Sequence, residues 1–188
     1  ERRQNCRHRP SLYASAPASN RCKAPTPIRA TPGMNLRQLL RLRRCFRFVP
    51  TIYAHLGFEH ILLDQTYNNA EAAIVAAGEF LVGQGLVSPP YIDSMLARQR
   101  KVSVYVGNFV ALPHGDGEGQ PYIEKEGICL IQVPDGVNFG SSKEPQIATI
   151  LFVVALKEKQ LEALQDIAFF CSDIENVMAL SDAKDLRA

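Results

Sequence analysis

The sequence lacks any Cys-x-x-Cys motif. Its cysteines number five, which is odd, and none is separated from another by two residues, so their spacing indicates neither a disulfide framework nor a thiolate zinc site. They are Cys6, Cys22, Cys45, Cys129 and Cys171. The last two lie in apolar runs, which favours a place in the core over a chemical role. We therefore expect the folded part to occupy a reducing compartment.

Motifs for membrane, nucleotide and metal chemistry are also missing. No apolar run approaches the roughly 20 residues that a membrane-spanning helix needs. The glycines around Asp116 are not followed by the Lys-Ser or Lys-Thr of a Walker loop, and there is no His-x-x-x-His pair. These absences argue against membrane insertion, nucleotide binding and metal-dependent hydrolysis. They predict a cytoplasmic protein with neither a cofactor nor a metal.

Acidic residues are nearly absent from the first 58 positions. Residues 1–58 contain twelve Lys and Arg and the single acid Glu1, whereas residues 59–188 contain nine Lys and Arg and eighteen Asp and Glu. Prolines, serines and alanines separate the arginines, and such a composition buries too little apolar surface to fold. We expect residues 1–58 to be a basic extension outside the fold. It is predicted to be disordered to about residue 33 and to form at best a basic amphipathic helix over 36–48.

Three explanations of the basic extension stay open. Arginine-rich, acid-poor composition is typical of an organellar transit peptide. The chain opens with Glu1 and its first methionine is Met34, which favours a fragment or translated upstream sequence. A nucleic-acid-binding arm is the third, although charge alone is unspecific and no helix-turn-helix pattern is present, so we expect no nucleic-acid partner. The domain is expected over residues 59–188, truncated at its C-terminus.

Two helices are predicted before the first strand. Asn69 is suited to cap a helix over residues 70–81, in which apolar residues recur at helical spacing. Gly83 ends that helix. Pro90 then begins a second helix that runs to Arg98.

Three apolar runs predict β-strands. They are residues 102–112, with a bend at Gly107, residues 127–133 and residues 147–156. The third is apolar almost throughout, which predicts a central strand covered on both faces. Residues 134–140 predict a turn, residues 158–170 predict a helix, and Asp173 is suited to cap another. This order predicts an α/β (α+β) fold with a mixed β-sheet covered by helices.

His114 is the candidate catalytic residue, because it lies between a proline and a glycine at the end of the first predicted strand. Pro113 fixes its own φ and cannot donate to a sheet ladder, and Gly115 lets the backbone turn. A rigid and accessible imidazole suits nucleophilic or acid-base chemistry. The same tripeptide is also typical of a histidine that only forms a structural hydrogen bond, and Pro-His-Gly alone does not separate the two.

Four motifs in order resemble the mannitol/fructose-class enzyme IIA domain of the bacterial phosphoenolpyruvate-dependent sugar phosphotransferase system. They are Met95-Leu96-Ala97-Arg98, Tyr105-Val106-Gly107, Val110-Ala111-Leu112-Pro113-His114-Gly115 and Gln132-Val133-Pro134-Asp135-Gly136-Val137-Asn138-Phe139-Gly140. The resemblance covers residues 61–186 and none of the basic extension. It implies the enzyme IIA mannitol-like fold.

The resemblance implies a phosphotransferase component with a phosphohistidine intermediate. His114 matches the acceptor that takes a phosphoryl group from the histidine phosphocarrier protein and passes it to a cysteine of an enzyme IIB domain for mannitol-class sugar uptake. Arg98 matches an arginine at the end of the second helix, where a guanidinium suits phosphate stabilisation. The alternative is that Arg98 is an ordinary cation near a helix C-terminus, where positive charge is favoured. Arg100 and Lys101 are expected to be solvated or part of a docking rim.

Two positions depart from the family pattern. Gln160 occupies the place of a second family histidine, and an amide donates hydrogen bonds but carries no positive charge. Asp116 stands where the mannitol class has a small hydroxyl residue, and the alternatives are that it orients the imidazole, repels phosphate or caps a turn. The Gln160 replacement leaves open a regulatory or degenerate enzyme IIA-like module. His55 and His60 match no motif and are predicted to be structural or surface residues.

Overall fold

The computed structural model describes residues 49–183, so the predicted disorder to residue 33 and the predicted helix over 36–48 lie outside the described residues. In chain order the elements are α1 (Pro50–His55), β1 (Leu56–Leu62), α2 (Ala70–Gly83), α3 (Tyr91–Lys101), β2 (Tyr105–Gly107), β3 (Val110–Ala111), a 3-10 helix (Gly117–Tyr122), β4 (Gly127–Asn138), β5 (Ile147–Ala155), α4 (Gln160–Ser172) and α5 (Ile174–Ser181). Among these helices none is both long and apolar enough to cross a membrane.

The five strands form one mixed sheet in the order β1-β4-β5-β3-β2. β1 runs parallel to β4 and β3 runs parallel to β5, whereas the pairs β4–β5 and β2–β3 are antiparallel. The β4–β5 pairing extends from Gly127 opposite Ala155 to Asn138 opposite Ile147. The predicted mixed sheet is confirmed, and β5 is its central strand as the apolar sequence indicated.

Alternate residues of β5 face two separate core layers. Leu151 and Val153 belong to a layer that contains buried residues of α2 and α3, whereas Phe152 and Val154 belong to a layer that contains buried residues of α1, α4 and α5. Side chains of a strand alternate between its faces. All four are fully buried, so this part of β5 is apolar because neither of its faces meets water.

The predicted helix caps are present. The side chain of Asn69 accepts a hydrogen bond from the backbone nitrogen of Ala72 at 2.8 Å, at the start of α2. The side chain of Asp173 accepts one from the backbone nitrogen of Glu175 at 3.0 Å, at the start of α5. Each bond satisfies a backbone donor that the first turn of a helix leaves unpaired. Helices α2, α3 and α4 lie where the apolar periodicity predicted them.

The prediction that two helices precede the first strand is wrong, because β1 comes before them. A glycine, a glutamate and a histidine interrupt the apolar pattern of β1, and its pairing with β4 is irregular between Leu56 and Ile61. The predicted boundary between residues 58 and 59 falls inside this strand. Val49 and Ile52 are also buried in the core, so the fold includes residues before 59.

The first predicted strand is in fact two short strands. The chain reverses between β2 and β3 through Gly107, Asn108 and Phe109, whose φ angles are 99°, 48° and 63°. Consecutive residues in the left-handed region end a strand, and glycine and asparagine adopt that region more readily than other residues. The Asn108 side chain donates to the carbonyls of Cys171 and Ser172 at 3.0 and 2.9 Å. These bonds hold the reversal against the end of α4.

The predicted turn over residues 134–140 lies partly inside β4. This strand continues to Asn138, and its register with β5 shifts between Gln132 and Val137. Gly136, with φ 72°, lies within the irregular stretch. The turn residues therefore form a bulge, which bends β4 without ending it.

Candidate functional site

His114 lies where the chain leaves β3 and continues beside β5. The backbone nitrogen of Leu112 donates to the carbonyl of Val104 at 2.8 Å, and that of Val154 donates to the carbonyl of Pro113 at 2.9 Å. His114 itself forms a parallel bridge with Val154. The residue is therefore held at an anchored strand end, as predicted. It is buried, with 8% of its surface exposed, whereas the sequence analysis expected an accessible imidazole.

A hydrogen bond to the backbone decides the tautomer of His114. Its Nδ1 lies 2.6 Å from the carbonyl oxygen of Leu112. A carbonyl oxygen only accepts, so Nδ1 carries the proton and donates it. In the neutral ring the other nitrogen, Nε2, then has a free lone pair. The arrangement gives a nucleophile or a proton acceptor at Nε2.

The surroundings of His114 lower its pKa below the ordinary value. Burial is the main cause, because it disfavours the charged imidazolium, and the positive charge of Arg98 acts in the same direction. The hydrogen bond to Leu112 and the negative charge of Asp116 oppose the shift. The net direction favours a neutral ring at neutral pH.

His114 lines a cavity of about 460 Å³. Arg98 and Gln160 line the same cavity, so the structure brings together the three site residues that the sequence predicted, and Asp116 lies beside them. Leu161 is also part of the wall and is 70% exposed. The cavity therefore combines an imidazole, a guanidinium, a carboxylate and an amide with an exposed leucine.

Arg98 lies near the C-terminal end of α3, as predicted. One of its guanidinium nitrogens donates to the carbonyl of Val102 at 2.8 Å, which satisfies a backbone acceptor at the helix end. The residue is partly exposed on the cavity wall. Arg98 therefore bonds to the backbone at the helix end and also lines the cavity that contains His114.

Gln160 is the first residue of α4 and follows Lys159, which has φ 55°. The Nε2 of Gln160 donates to the carbonyl of Gly115 at 3.1 Å. The amide therefore ties the start of α4 to the residue after His114. This contact distinguishes Gln160 from a freely exposed helix residue.

Tyr91 is a site residue that the sequence analysis missed. Its hydroxyl donates to the carbonyl of Val154 at 2.9 Å and accepts from the backbone nitrogen of Gly115 at 3.0 Å. Burial raises the pKa of Tyr91 to about 12, so the hydroxyl keeps its proton. A Cβ on Gly115 would lie 2.6 Å from the Tyr91 ring, so close packing requires the glycine after His114. The sequence shows only a tyrosine at a helix start and gives no sign of these partners.

Asp116 caps the turn after His114, which confirms one of its three predicted roles. Its Oδ1 accepts from Ser94 Oγ at 2.9 Å and from the backbone nitrogen of Glu118 at 3.2 Å. Its Oδ2 binds Lys101 Nζ at 2.8 Å. Lys101 is exposed, as expected of a solvated residue, but it has a specific partner beside the cavity. The imidazole is oriented by Leu112 instead of Asp116.

The other described histidines lie away from these residues. His55 ends α1, and His60 lies in β1 and is 8% exposed, so for His60 the structural prediction is confirmed. Within residues 49–183, no group of three or more His, Cys, Asp or Glu residues is placed to hold a metal ion.

A model of the family described as phosphoenolpyruvate-dependent sugar phosphotransferase system, EIIA 2, matches residues 55–188. The chain belongs to this family. The mannitol-specific phosphotransferase enzyme IIA component of Enterococcus faecalis is 48% identical over 124 residues, which are 65% of this chain and 86% of the relative. The corresponding component of Bacillus subtilis is 39% identical over 130 residues, which are 69% of this chain and 89% of that relative. The predicted mannitol-class enzyme IIA resemblance is confirmed.

Solved enzyme IIA structures share the fold. The crystal structure of IIA mannitol from Escherichia coli matches with a TM-score of 0.64 at 30% identity, covering 69% of this chain and 92% of that one. A solution structure of the Escherichia coli complex of enzyme IIA mannitol with phosphorylated enzyme IIB mannitol matches with a TM-score of 0.64 at 29% identity, covering 69% and 90%. The predicted α+β fold is thus that of enzyme IIA.

Proposed function

We propose that this enzyme IIA protein is a cytoplasmic phosphoryl carrier that accepts a phosphoryl group on Nε2 of His114. The hydrogen bond from Nδ1 to Leu112 carries this proposal, because it leaves the lone pair on the other ring nitrogen of a cavity-lining residue. Neutral imidazole is a competent nucleophile near pH 7. The names of the relatives from Enterococcus faecalis and Bacillus subtilis support mannitol as the sugar class.

The transfer moves one phosphoryl group between two nitrogens. The lone pair of His114 Nε2 attacks the phosphorus of a phosphohistidine on the histidine phosphocarrier protein. A new N–P bond forms as the donor's N–P bond breaks, and the electrons of the broken bond stay on the donor nitrogen. Nδ1 keeps its proton throughout, and its bond to Leu112 stabilises the positive charge that develops on the ring.

Arg98 and Gln160 supply donors for the phosphoryl oxygens. The bond to Val102 engages one of the five N–H donors of a guanidinium, and the rest of this planar group suits two phosphate oxygens at once. Gln160 holds the backbone beside His114 in place through Gly115. Phosphoryl transfer depends mainly on positioning and charge stabilisation, which these two residues provide at the cavity.

The proposed partners are the histidine phosphocarrier protein and an enzyme IIB domain, whose cysteine receives the phosphoryl group. Support comes from the Escherichia coli complex with phosphorylated enzyme IIB mannitol. The exposed side chains of Leu161 and Val106 on the cavity wall also suit a protein partner, since apolar contacts dominate the centre of protein interfaces.

The acceptance step is tested by labelling the full chain with phosphoenolpyruvate, enzyme I and the histidine phosphocarrier protein. Intact-mass measurement is expected to show one added phosphoryl group in the wild type and in His55→Gln, and none in His114→Ala. Circular dichroism checks that the His114 variant is folded. Labelling that survives His114→Ala refutes the proposed acceptor.

The second candidate is a regulatory or degenerate module, which the uncharged Gln160 favours. The transfer from His114 to an enzyme IIB domain distinguishes this module from a carrier. A carrier passes its phosphoryl group to an enzyme IIB domain, so labelled protein loses the group when that domain is added. Label that stays on His114 in the presence of a competent enzyme IIB domain favours the regulatory module.

A further inference from the structure

The cavity beside His114 contains a carboxylate, which opposes the binding of a phosphoryl group. Asp116 lines the cavity together with His114 and Arg98. Hydrogen bonds from Lys101 and Ser94 hold the pKa of Asp116 below its ordinary value, so the carboxylate is ionised at neutral pH. A phosphoryl group carries about 1.5 to 2 negative charges at pH 7. Two such groups in one cavity repel each other unless a cation balances the carboxylate.

Helix α3 holds both oxygens of that carboxylate. Ser94 Oγ donates to Oδ1 at 2.9 Å, and Lys101 Nζ binds Oδ2 at 2.8 Å. The backbone nitrogen of Asp116 donates back to Ser94 Oγ at 3.0 Å. Ser94, Arg98 and Lys101 follow the i, i+4, i+7 spacing of one helix face. The same face therefore provides the cation that lines the cavity and the cation that pairs with Asp116.

We propose that Lys101 is a positioning residue that neutralises Asp116 so that a phosphorylated donor can approach His114. The inference rests on the proposed function. The side chain of Lys101 is 62% exposed and is not part of the cavity wall. It therefore acts on the phosphoryl group through Asp116, and Arg98 remains the cation that contacts the phosphate.

The ion pair with Lys101 allows Asp116 to keep its structural role. The carboxylate caps the 3-10 helix through Glu118 and ties the turn after His114 to α3 through Ser94. Because the Lys101 side chain is largely exposed, its ion pair with Asp116 contributes little to folding stability. Its effect is instead on the approach of a charged partner, which depends on ionic strength.

The test compares the rate of phosphoryl acceptance in four full-length variants with that of the wild type: Lys101→Gln, Asp116→Asn, the double variant and Arg100→Gln. Asparagine keeps an Oδ1 acceptor for Ser94 and Glu118 but removes the charge. Arg100 is the matched control, because it is the neighbouring cation of α3 and pairs with Glu71 at 3.4 Å. Rates are measured at low and high salt.

Lys101→Gln is expected to slow acceptance roughly three- to tenfold at low salt, with a smaller defect at high salt. Adding Asp116→Asn is expected to restore the wild-type rate, because the unbalanced carboxylate is gone. Arg100→Gln is expected to change the rate less.

Three outcomes overturn the inference. A wild type that takes no label refutes the proposed function and this inference with it. A labelled wild type with an equally fast Lys101→Gln variant refutes the role of Lys101 alone. A slow Lys101→Gln variant that Asp116→Asn does not restore also refutes it, because the lysine then acts by another route.

Discussion

Single residues at the cavity have their chemistry set by the backbone around them. His114 receives its tautomer from the carbonyl of Leu112, and Gly115 is held on one side by the Tyr91 hydroxyl and on the other by Gln160. The ring of His114 and both polar backbone groups of Gly115 are thus fixed by hydrogen bonds. A nucleophile held this way loses little conformational freedom on reaction, which favours transfer.

The lowered pKa of His114 predicts an acid limit for phosphoryl acceptance. In the proposed transfer the neutral ring is the nucleophile, so the rate is expected to be constant near pH 7 and to fall only below the ordinary histidine value of about 6.5. An NMR titration of the full chain is expected to give a midpoint for His114 below that value. Arg98→Gln is expected to raise the midpoint, because Arg98 disfavours the charged ring.

The lowered pKa of His114 also predicts a loss of folding stability in acid. Below about pH 6.5 the unfolded chain takes up a proton at His114 before the folded protein does, so the free energy of unfolding decreases as the pH falls. His114→Gln is expected to show less of this decrease in denaturant titrations. A titration midpoint at or above 6.5 contradicts both parts of the prediction.

Tyr91→Phe is predicted to destabilise the fold by about 1–3 kcal/mol, because it leaves the backbone nitrogen of Gly115 and the carbonyl of Val154 without their hydroxyl partner. Acceptance of phosphate is also expected to slow, since Gly115 follows the nucleophile. Urea unfolding measures the first effect. Tyr122→Phe, at a 39% exposed position, is the control and is expected to stay within about 0.5 kcal/mol. Equal stability of the two variants contradicts the prediction.

At the scale of elements, one amide joins three parts of the chain. Gln132 of β4 is 5% exposed, and its Nε2 donates to the carbonyls of Leu180, Ser181 and Ala183 at 3.1, 2.8 and 2.8 Å. An amide has two N–H donors, so the three carbonyls share them. Its Oε1 accepts from the backbone nitrogen of Asp64 at 3.2 Å. Gln132 therefore fixes the C-terminal end of α5 against the sheet.

Gln132→Leu is predicted to release that end of α5. The buried carbonyls lose their donor, which costs about 1–3 kcal/mol in the free energy of unfolding. Hydrogen exchange is expected to accelerate at α5 more than at β5. Gln65→Leu is the control, because the side-chain amide of Gln65 donates to the nearby carbonyl of Leu63, and its backbone bond to Gln132 is kept in the variant. If hydrogen exchange at α5 is unchanged in Gln132→Leu, Gln132 does not fix the end of α5 as predicted.

At the scale of the whole molecule, the two core layers share one sheet. Leu130 and Ile131 are neighbours in β4, yet Leu130 belongs to the layer with α1, α4 and α5, and Ile131 to the layer with α2 and α3. Neither layer has its own sheet. The layers are therefore expected to unfold together, because loss of β4 or β5 exposes both.

Leu130→Ala and Ile131→Ala are each predicted to lower the free energy of unfolding by about 2–5 kcal/mol. Both variants are expected to keep a single cooperative transition. Far-ultraviolet circular dichroism and tyrosine fluorescence are expected to give coincident unfolding curves for both variants. Val102→Ala, at a 62% exposed position, is the control with little effect. Separate transitions in either core variant contradict the coupling of the layers.

Local sequence patterns predicted much of the fold but not all of its strands. The caps at Asn69 and Asp173 and the apolar run of β5 are encoded in neighbouring residues. β1 was missed because its pattern is interrupted and its pairing with β4 is irregular. The reversal at Gly107 was read as a bend, because three successive positive φ angles depend on contacts such as those of Asn108 with the end of α4.

Gln160 stood out only through the family resemblance. The sequence by itself determined the position of His114 at a strand end and the place of Arg98 near a helix end. Spacing along one chain is enough for these, because backbone preferences and periodicity act over a few residues. The tertiary structure decided that Nδ1 of His114 carries the proton, that Tyr91 connects β5 to the residue after His114 and that Lys101 pairs with Asp116. Hydrogen bonds and ion pairs depend on distances of a few tenths of an ångström between side chains and backbone, and residue spacing does not specify such distances.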